Sequence, residues 1–194
     1  MVSLAKGQSV SLEKRSGEAL SNVTMGLGWD VKQKKGFFAN LLGGDGGDID
    51  LDASCLLFNV NREAVDAVWF RQLRSEDGSI VHTGDNRTGA GDGDDEQIIV
   101  DLKGVPESVN TLVFNVNSFQ GDTFDRIENA YCRLVDNATG QEIARYDLSG
   151  SGSHTAQVMA KLTRNGGGWT MTAIGEITSG RTFHDMMPAI VRSI

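Results

Sequence analysis

Proline and cysteine are scarce in this chain, long apolar runs are missing, and each lack excludes something. Two prolines in 194 residues leave little rigid loop or linker. The only cysteines, Cys55 and Cys132, lie in the apolar runs CLLF and AYCRL, where cysteine behaves as a small buried hydrophobe. Neither a disulfide framework nor a zinc site is expected. No stretch approaches the roughly 20 apolar residues that cross a bilayer, and the opening MVSLAKGQSV has no apolar core of a secretory signal. The expectation is a soluble, cytoplasmic protein with no integral membrane segment. A nucleic-acid partner is not expected, since phosphate binding needs clustered Lys and Arg and the strongly localised charge of this chain is acidic. Catalytic motifs are equally absent. His82, His154 and His184 are scattered without HExxH spacing, and there is no GxSxG elbow or Walker lysine. The chain reads as a non-enzyme.

Acidic charge is present, and it is concentrated. The formal net charge is −8. Residues 45 to 52 carry Asp45, Asp48, Asp50 and Asp52, and residues 85 to 96 carry Asp85, Asp92, Asp94, Asp95 and Glu96 against Arg87. Each segment holds −4, so the rest of the chain is neutral. A single-sign field confined to two short segments points to a cation as the ligand.

The length fits one ordinary domain over residues 1 to 194. Abundant glycine, short β-branched and aromatic runs, and turn dipeptides between them make this a β-protein's sequence. Strands are expected at 9 to 14, 23 to 29, 50 to 60, 67 to 73, 97 to 102, 111 to 115, 130 to 135, 142 to 148, 155 to 162 and 169 to 177. Their spacing predicts an all-β fold, a β-sandwich of two mainly antiparallel sheets with short helical turns. The turns are placed at 63 to 66 and 106 to 109, with a helical segment at 182 to 191 broken by Pro188.

An internal repeat with an offset of 44 residues lays GDIDLDASCLLFNVNREAVDAVWF over GDGDDEQIIVDLKGVPESVNTLVF without a gap. Asp48, Asp50 and Asp52 fall on Asp92, Asp94 and Glu96. Repeated units occupy related places in a fold, so the two acidic segments are expected at one end of the sandwich. In a strand, alternate side chains share a face, and each acidic triplet would project together. Like charges so close repel unless a cation neutralises them. A hard divalent ion with six to eight oxygen ligands does this best. Calcium suits so many carboxylates better than magnesium, which keeps its waters, or zinc, which prefers His and Cys. The spacing is not that of an EF-hand. The bland alternative is a pair of solvated acidic loops.

These residues also carry a family resemblance. MGLGWD at 25 to 30, DIDLDAS at 48 to 54, HTGDNRTGAGDGDDEQI at 82 to 98, FDRIENAYCRLVD at 124 to 136, GQEIARYDL at 140 to 148 and GWTMTAIGE at 168 to 176 resemble TerD-type tellurium-resistance and stress proteins. The resemblance implies a two-sheet sandwich, calcium bound by the acidic loops as two ions, and a cytoplasmic bacterial setting. It implies a metal set of Asp48, Asp50, Asp85, Asn86, Asp94, Asp95 and Glu96, followed by Asp52 and Asp92. Partners would be other proteins of the tellurium-resistance system, some membrane-associated. The expected role is a calcium-binding interaction or scaffold protein in tellurite resistance and stress response. Two alternatives stand beside it. One is a carboxylate-dependent hydrolase, which would need an aromatic-lined cleft from Trp29, Trp69 or Trp169. The other is a calcium-dependent module docking peripherally at the inner membrane through the lengthened loop 31 to 44, VKQKKGFFANLLGG. Thiol chemistry on tellurium oxyanions is disfavoured, because two cysteines in apolar strands do not look like activated thiolates.

Overall fold

The structure, a computed structural model, describes residues 2–14, 16–31, 49–84, 93–148 and 152–194. Twelve strands form two six-stranded sheets. One sheet holds β1 (Val2–Ser3), β10 (Gln141–Asp147), β9 (Ile127–Asp136), β3 (Asn22–Val31), β7 (Glu96–Asp101) and β6 (Ile80–His82), in that order. The other holds β2 (Ser9–Ser11), β12 (Gly168–Thr178), β11 (Ala156–Asn165), β8 (Val109–Asn117), β4 (Asp52–Asn59) and β5 (Ala64–Val68). Among the described residues, only the β1–β10 pair is parallel. The expected all-β sandwich is what the chain forms.

Side-chain alternation builds the core. On β3, Val23, Met25, Leu27 and Trp29 are buried at every second position, and on β7 Glu96, Ile98 and Val100 are. These face Cys55, Leu57, Leu112 and Phe114 of the second sheet in one continuous cluster. Strands β4 and β8 are buried on both faces, which a two-layer sandwich does not require. The reason is helix α1 (Phe183–Arg192), which packs on the outer face of the second sheet. There Phe183, Met186 and Ile190 meet Leu56, Phe58 and Val113.

Several expectations need correction. The C-terminal helix runs through Pro188 unbroken, because docking of the face at 183, 186, 189 and 190 on the second sheet outweighs the backbone bond that the proline removes. The turn expected at 63 to 66 lies one step earlier, where Asn59 Oδ1 accepts the Asn61 and Glu63 amides, and Ala64–Val68 is a strand. Residues 69 to 72 close a tight turn through reciprocal Trp69–Gln72 backbone bonds instead of extending that strand. The short strands β1 and β6 escape sequence reading because two or three residues display no period.

Among the described residues, no helix is long and apolar enough to cross a membrane. His154, near the start of β11, is buried with its ring 4.6 Å from that of Phe124. Burial pushes its pKa down, and Asp125 opposes this weakly. A histidine held below its ordinary value of about 6.5 contributes stability that is present above that pH and is lost below it, where only the unfolded chain takes up the proton. Urea unfolding at about pH 5.5 and about pH 7.5 should show a smaller acid loss for His154→Gln than for the parent chain.

Candidate metal centre

Strands β4 and β7 belong to different sheets, yet both begin at the same end of the sandwich. The first residue of one is Asp52 and of the other Glu96, the two positions that the 44-residue repeat superposes. Across the gap between the sheets, Glu96 Oε2 accepts the Ala53 backbone N–H at 2.6 Å. The described ends of the two acidic segments, residues 49 to 52 and 93 to 96, therefore converge, as the repeat predicted.

Around that bridge the carboxylates are sunk into the protein. Asp50 is 7% exposed, Asp52 5% and Glu96 1%. Asp52 Oδ2 accepts from Asn117 Nδ2 at 3.3 Å, and the same amide nitrogen donates to the Arg181 carbonyl at 2.8 Å. Asp95 Oδ2 accepts the Trp29 amide at 2.9 Å, while the Asp95 amide donates to the Leu27 carbonyl at 2.8 Å. Burial raises the Asp95 pKa, and the charges of Asp30 and Asp94 push the same way against the Trp29 N–H bond. Each of these bonds fixes a carboxylate's direction without exhausting its lone pairs, the role outer-shell bonds play for metal ligands. His82 lies beneath. Its Nδ1 accepts from the Gly84 amide at 3.1 Å, which places the proton on Nε2, 3.4 Å from Glu96 Oε2.

Asp94 departs from the shared face expected for its triplet. Residues 93 to 95 precede β7, so the two-residue alternation does not yet apply, and Asp94 swings to the outer face of the first sheet. There Arg133 of β9 holds it through Nε to Oδ1 at 2.7 Å and a second nitrogen to Oδ2 at 3.1 Å. Tyr131 donates to the Gly93 carbonyl at 2.8 Å, and the Arg145 guanidinium stacks 3.6 Å from the Tyr131 ring. Two glycines make room. A Cβ on Gly26 would overlap the Asp94 carboxylate, and one on Gly28 would overlap the Tyr131 ring. The glycines of MGLGWD thus leave the outer face of β3 bare for the Asp94–Arg133 pair. Sequence reading assigned no role to Arg133 or Tyr131, and the alternate glycines were the only local sign of them.

Asp48, Asp85, Asn86 and Asp92 lie outside the described residues, as does the lengthened stretch from residue 32 onward. Among the described residues, no three His, Cys, Asp or Glu side chains are arranged to hold a metal ion. Asp30 accepts from Asn129 Nδ2 at 2.8 Å. Trp29 and Trp169 are buried in the core, and Trp69 packs edge-on against Phe183 of α1. Both cysteines are fully buried. Burial pushes the Cys55 thiol well up and that of Cys132 up to about 12, which keeps both protonated at neutral pH.

Fold and site together define a β-sandwich with buried carboxylates gathered at one end. The chain belongs to the TerD domain family, which it matches over residues 1–187. It is 51% identical to the tellurium resistance protein TerZ of Serratia marcescens over 194 residues, covering 100% of this chain and 99% of that one. It is 40% identical to the stress response protein SCP2 of Bacillus subtilis over 199 residues, covering 98% of this chain and 99% of the relative. A solved homologue of telluride resistance protein (TerD) from Streptomyces coelicolor A3(2) superposes with a TM-score of 0.66 at 22% identity, covering 87% of this chain and 97% of that one. That likeness shows the shared fold.

The Asp94 side chain is 2% exposed and depends on Arg133 for its countercharge. Removing one partner of a buried pair typically costs about 3–5 kcal/mol. With Arg133 part-exposed, Arg133→Gln is expected to lower unfolding free energy by about 3 kcal/mol in urea titrations. Asp94→Asn combined with Arg133→Gln should cost less than the two single changes summed.

Proposed function

We propose that this protein binds calcium at the acidic end of the sandwich and acts, without catalysing a reaction, as an interaction or scaffold module in bacterial tellurite resistance and stress response. The carrying observation is the convergence of Asp50, Asp52, Asp95 and Glu96, from two sequence segments, on one end of the fold. Oxygen donors alone, partly desolvated and held in direction by backbone and amide bonds, suit a hard cation of variable coordination number. The Asp95 pKa, raised chiefly by burial and further by the Asp30 and Asp94 charges, is in keeping with this reading, since a bound cation would favour the charged carboxylate.

In this reading Asp50, Asp52, Asp95 and Glu96 make no cage among themselves but border the site from the sandwich side, and Asp48, Asp85, Asn86 and Asp92 supply the oxygens that complete it for two ions. Asp94 serves the site indirectly. Its pairing with Arg133 anchors the segment entering β7, so the neighbouring carboxylates stay aimed inward. Bound calcium would neutralise the acidic end and order both segments into one surface for protein partners. The resistance and stress role comes from the names of the relatives. The non-enzymatic reading rests on the absence of a catalytic motif and on tryptophans committed to packing.

Calorimetric titration of the ion-stripped full chain should show saturable calcium binding and a rise in melting temperature. Asp50→Asn is expected to weaken binding at least about tenfold, equivalent to about 1.4 kcal/mol. No calcium-dependent heat and no stabilisation at millimolar ion would overturn the proposal.

A further inference from the structure

At the other end of the second sheet the chemistry reverses. Strand β4 leaves the acidic end at Asp52 and finishes at Asn59, and antiparallel β8 and β11 bring Thr111 and Thr163 side by side there. A cavity of about 250 Å³ opens on the outer face at this point, lined by Lys161, Arg62, Thr111, Thr163, Asn110 and Asn59. Val60 and Ile194, the last residue given, complete the lining, which includes no Asp or Glu side chain. Glu63, adjacent in sequence, has Oε2 engaged by Asn59 Nδ2 at 2.7 Å.

Lys161 is half-buried, and its Nζ donates to the Ser193 carbonyl at 2.7 Å. That bond caps the end of α1, the ordinary task of a lysine in such a place. It uses one of three ammonium protons and gives no account of Arg62. Among the described residues, neither cation forms an ion pair with a carboxylate. Arg62 also stands at φ +64°, a left-handed conformation that glycine adopts more readily, and it carries its cation to the cavity rim from there. Two like charges facing one polar cavity repel, just as the carboxylates do at the far end.

We propose that this cavity is a binding site for a compact oxyanion of the phosphate class, clamped by Arg62 and Lys161 with Thr111, Thr163 and Asn110 as neutral donors. Burial and the charge of Arg62 both depress the Lys161 pKa, and a bound anion would relieve that penalty. Free phosphate, a phosphoryl group on a larger molecule and tellurite all present the same cluster of anionic oxygens. The site is remote from the carboxylates and independent of the calcium reading.

Ion-stripped full chain titrated with sodium phosphate, and separately with sodium tellurite, against sodium chloride at matched ionic strength, tests the proposal. One saturable site with Kd of about 1 mM or tighter is expected for at least one oxyanion and not for chloride. Preference between the two salts identifies the class of natural ligand. Arg62→Gly, which suits the left-handed backbone and leaves the Lys161 cap intact, should weaken binding at least about tenfold. Lys161→Arg should retain it. Absence of saturable heat with either oxyanion at about 10 mM, or equal affinity in the parent and Arg62→Gly, would overturn the assignment.

Discussion

A carboxylate placed between two β-sheets must find hydrogen bonds there, because a buried ionised group without them costs several kcal/mol. Glu96 meets that demand by accepting the Ala53 amide of the opposite sheet. The bond ties the start of β7 to the start of β4. Around it stand Asp52 on its asparagine, Asp95 on the Trp29 amide, and His82 below. Asp52, Asp95 and Glu96 are each directed by a group that belongs to the sandwich itself, so these three carboxylates are an extension of the core.

Charge is divided between the two sides of the first sheet by the same economy of space. Glu96 turns inward, while Asp94, two residues earlier, turns outward to Arg133. Gly26 and Gly28 permit this by leaving the outer surface of β3 without side chains. The glycine-spaced strand, the arginine on β9 and the aspartate before β7 are therefore one device assembled from three separate stretches of the chain.

Much of the fold was legible in sequence because strand period and core position coincide. Val23, Met25, Leu27 and Trp29 alternate and are all buried, and the apolar runs of β8, β9, β11 and β12 fall where periodicity put them. Cys55 and Cys132 are buried as their apolar neighbours implied. Pro188 does not end the helix as expected, since the backbone bond it removes is outweighed by packing against Phe58 and Val113, which local sequence does not display. The strand at Ala64–Val68 was displaced in sequence reading because an asparagine-centred turn ends β4 sooner than the apolar run does.

The sequence by itself determined the two-sheet class, the absence of familiar catalytic motifs and the two acidic copies in one register, because these follow from local period and composition. It also required the acidic segments to meet, since repeated units occupy related places. Only tertiary structure decided where each acid points. Alternation of faces holds within a strand, and Asp94 and Asp95 lie just before one, so their directions depend on Arg133 and on the Trp29 amide. The same holds for Arg62 and Lys161: far apart in the chain, they become a charged pair facing one cavity only because β8 and β11 pair antiparallel beside the end of β4.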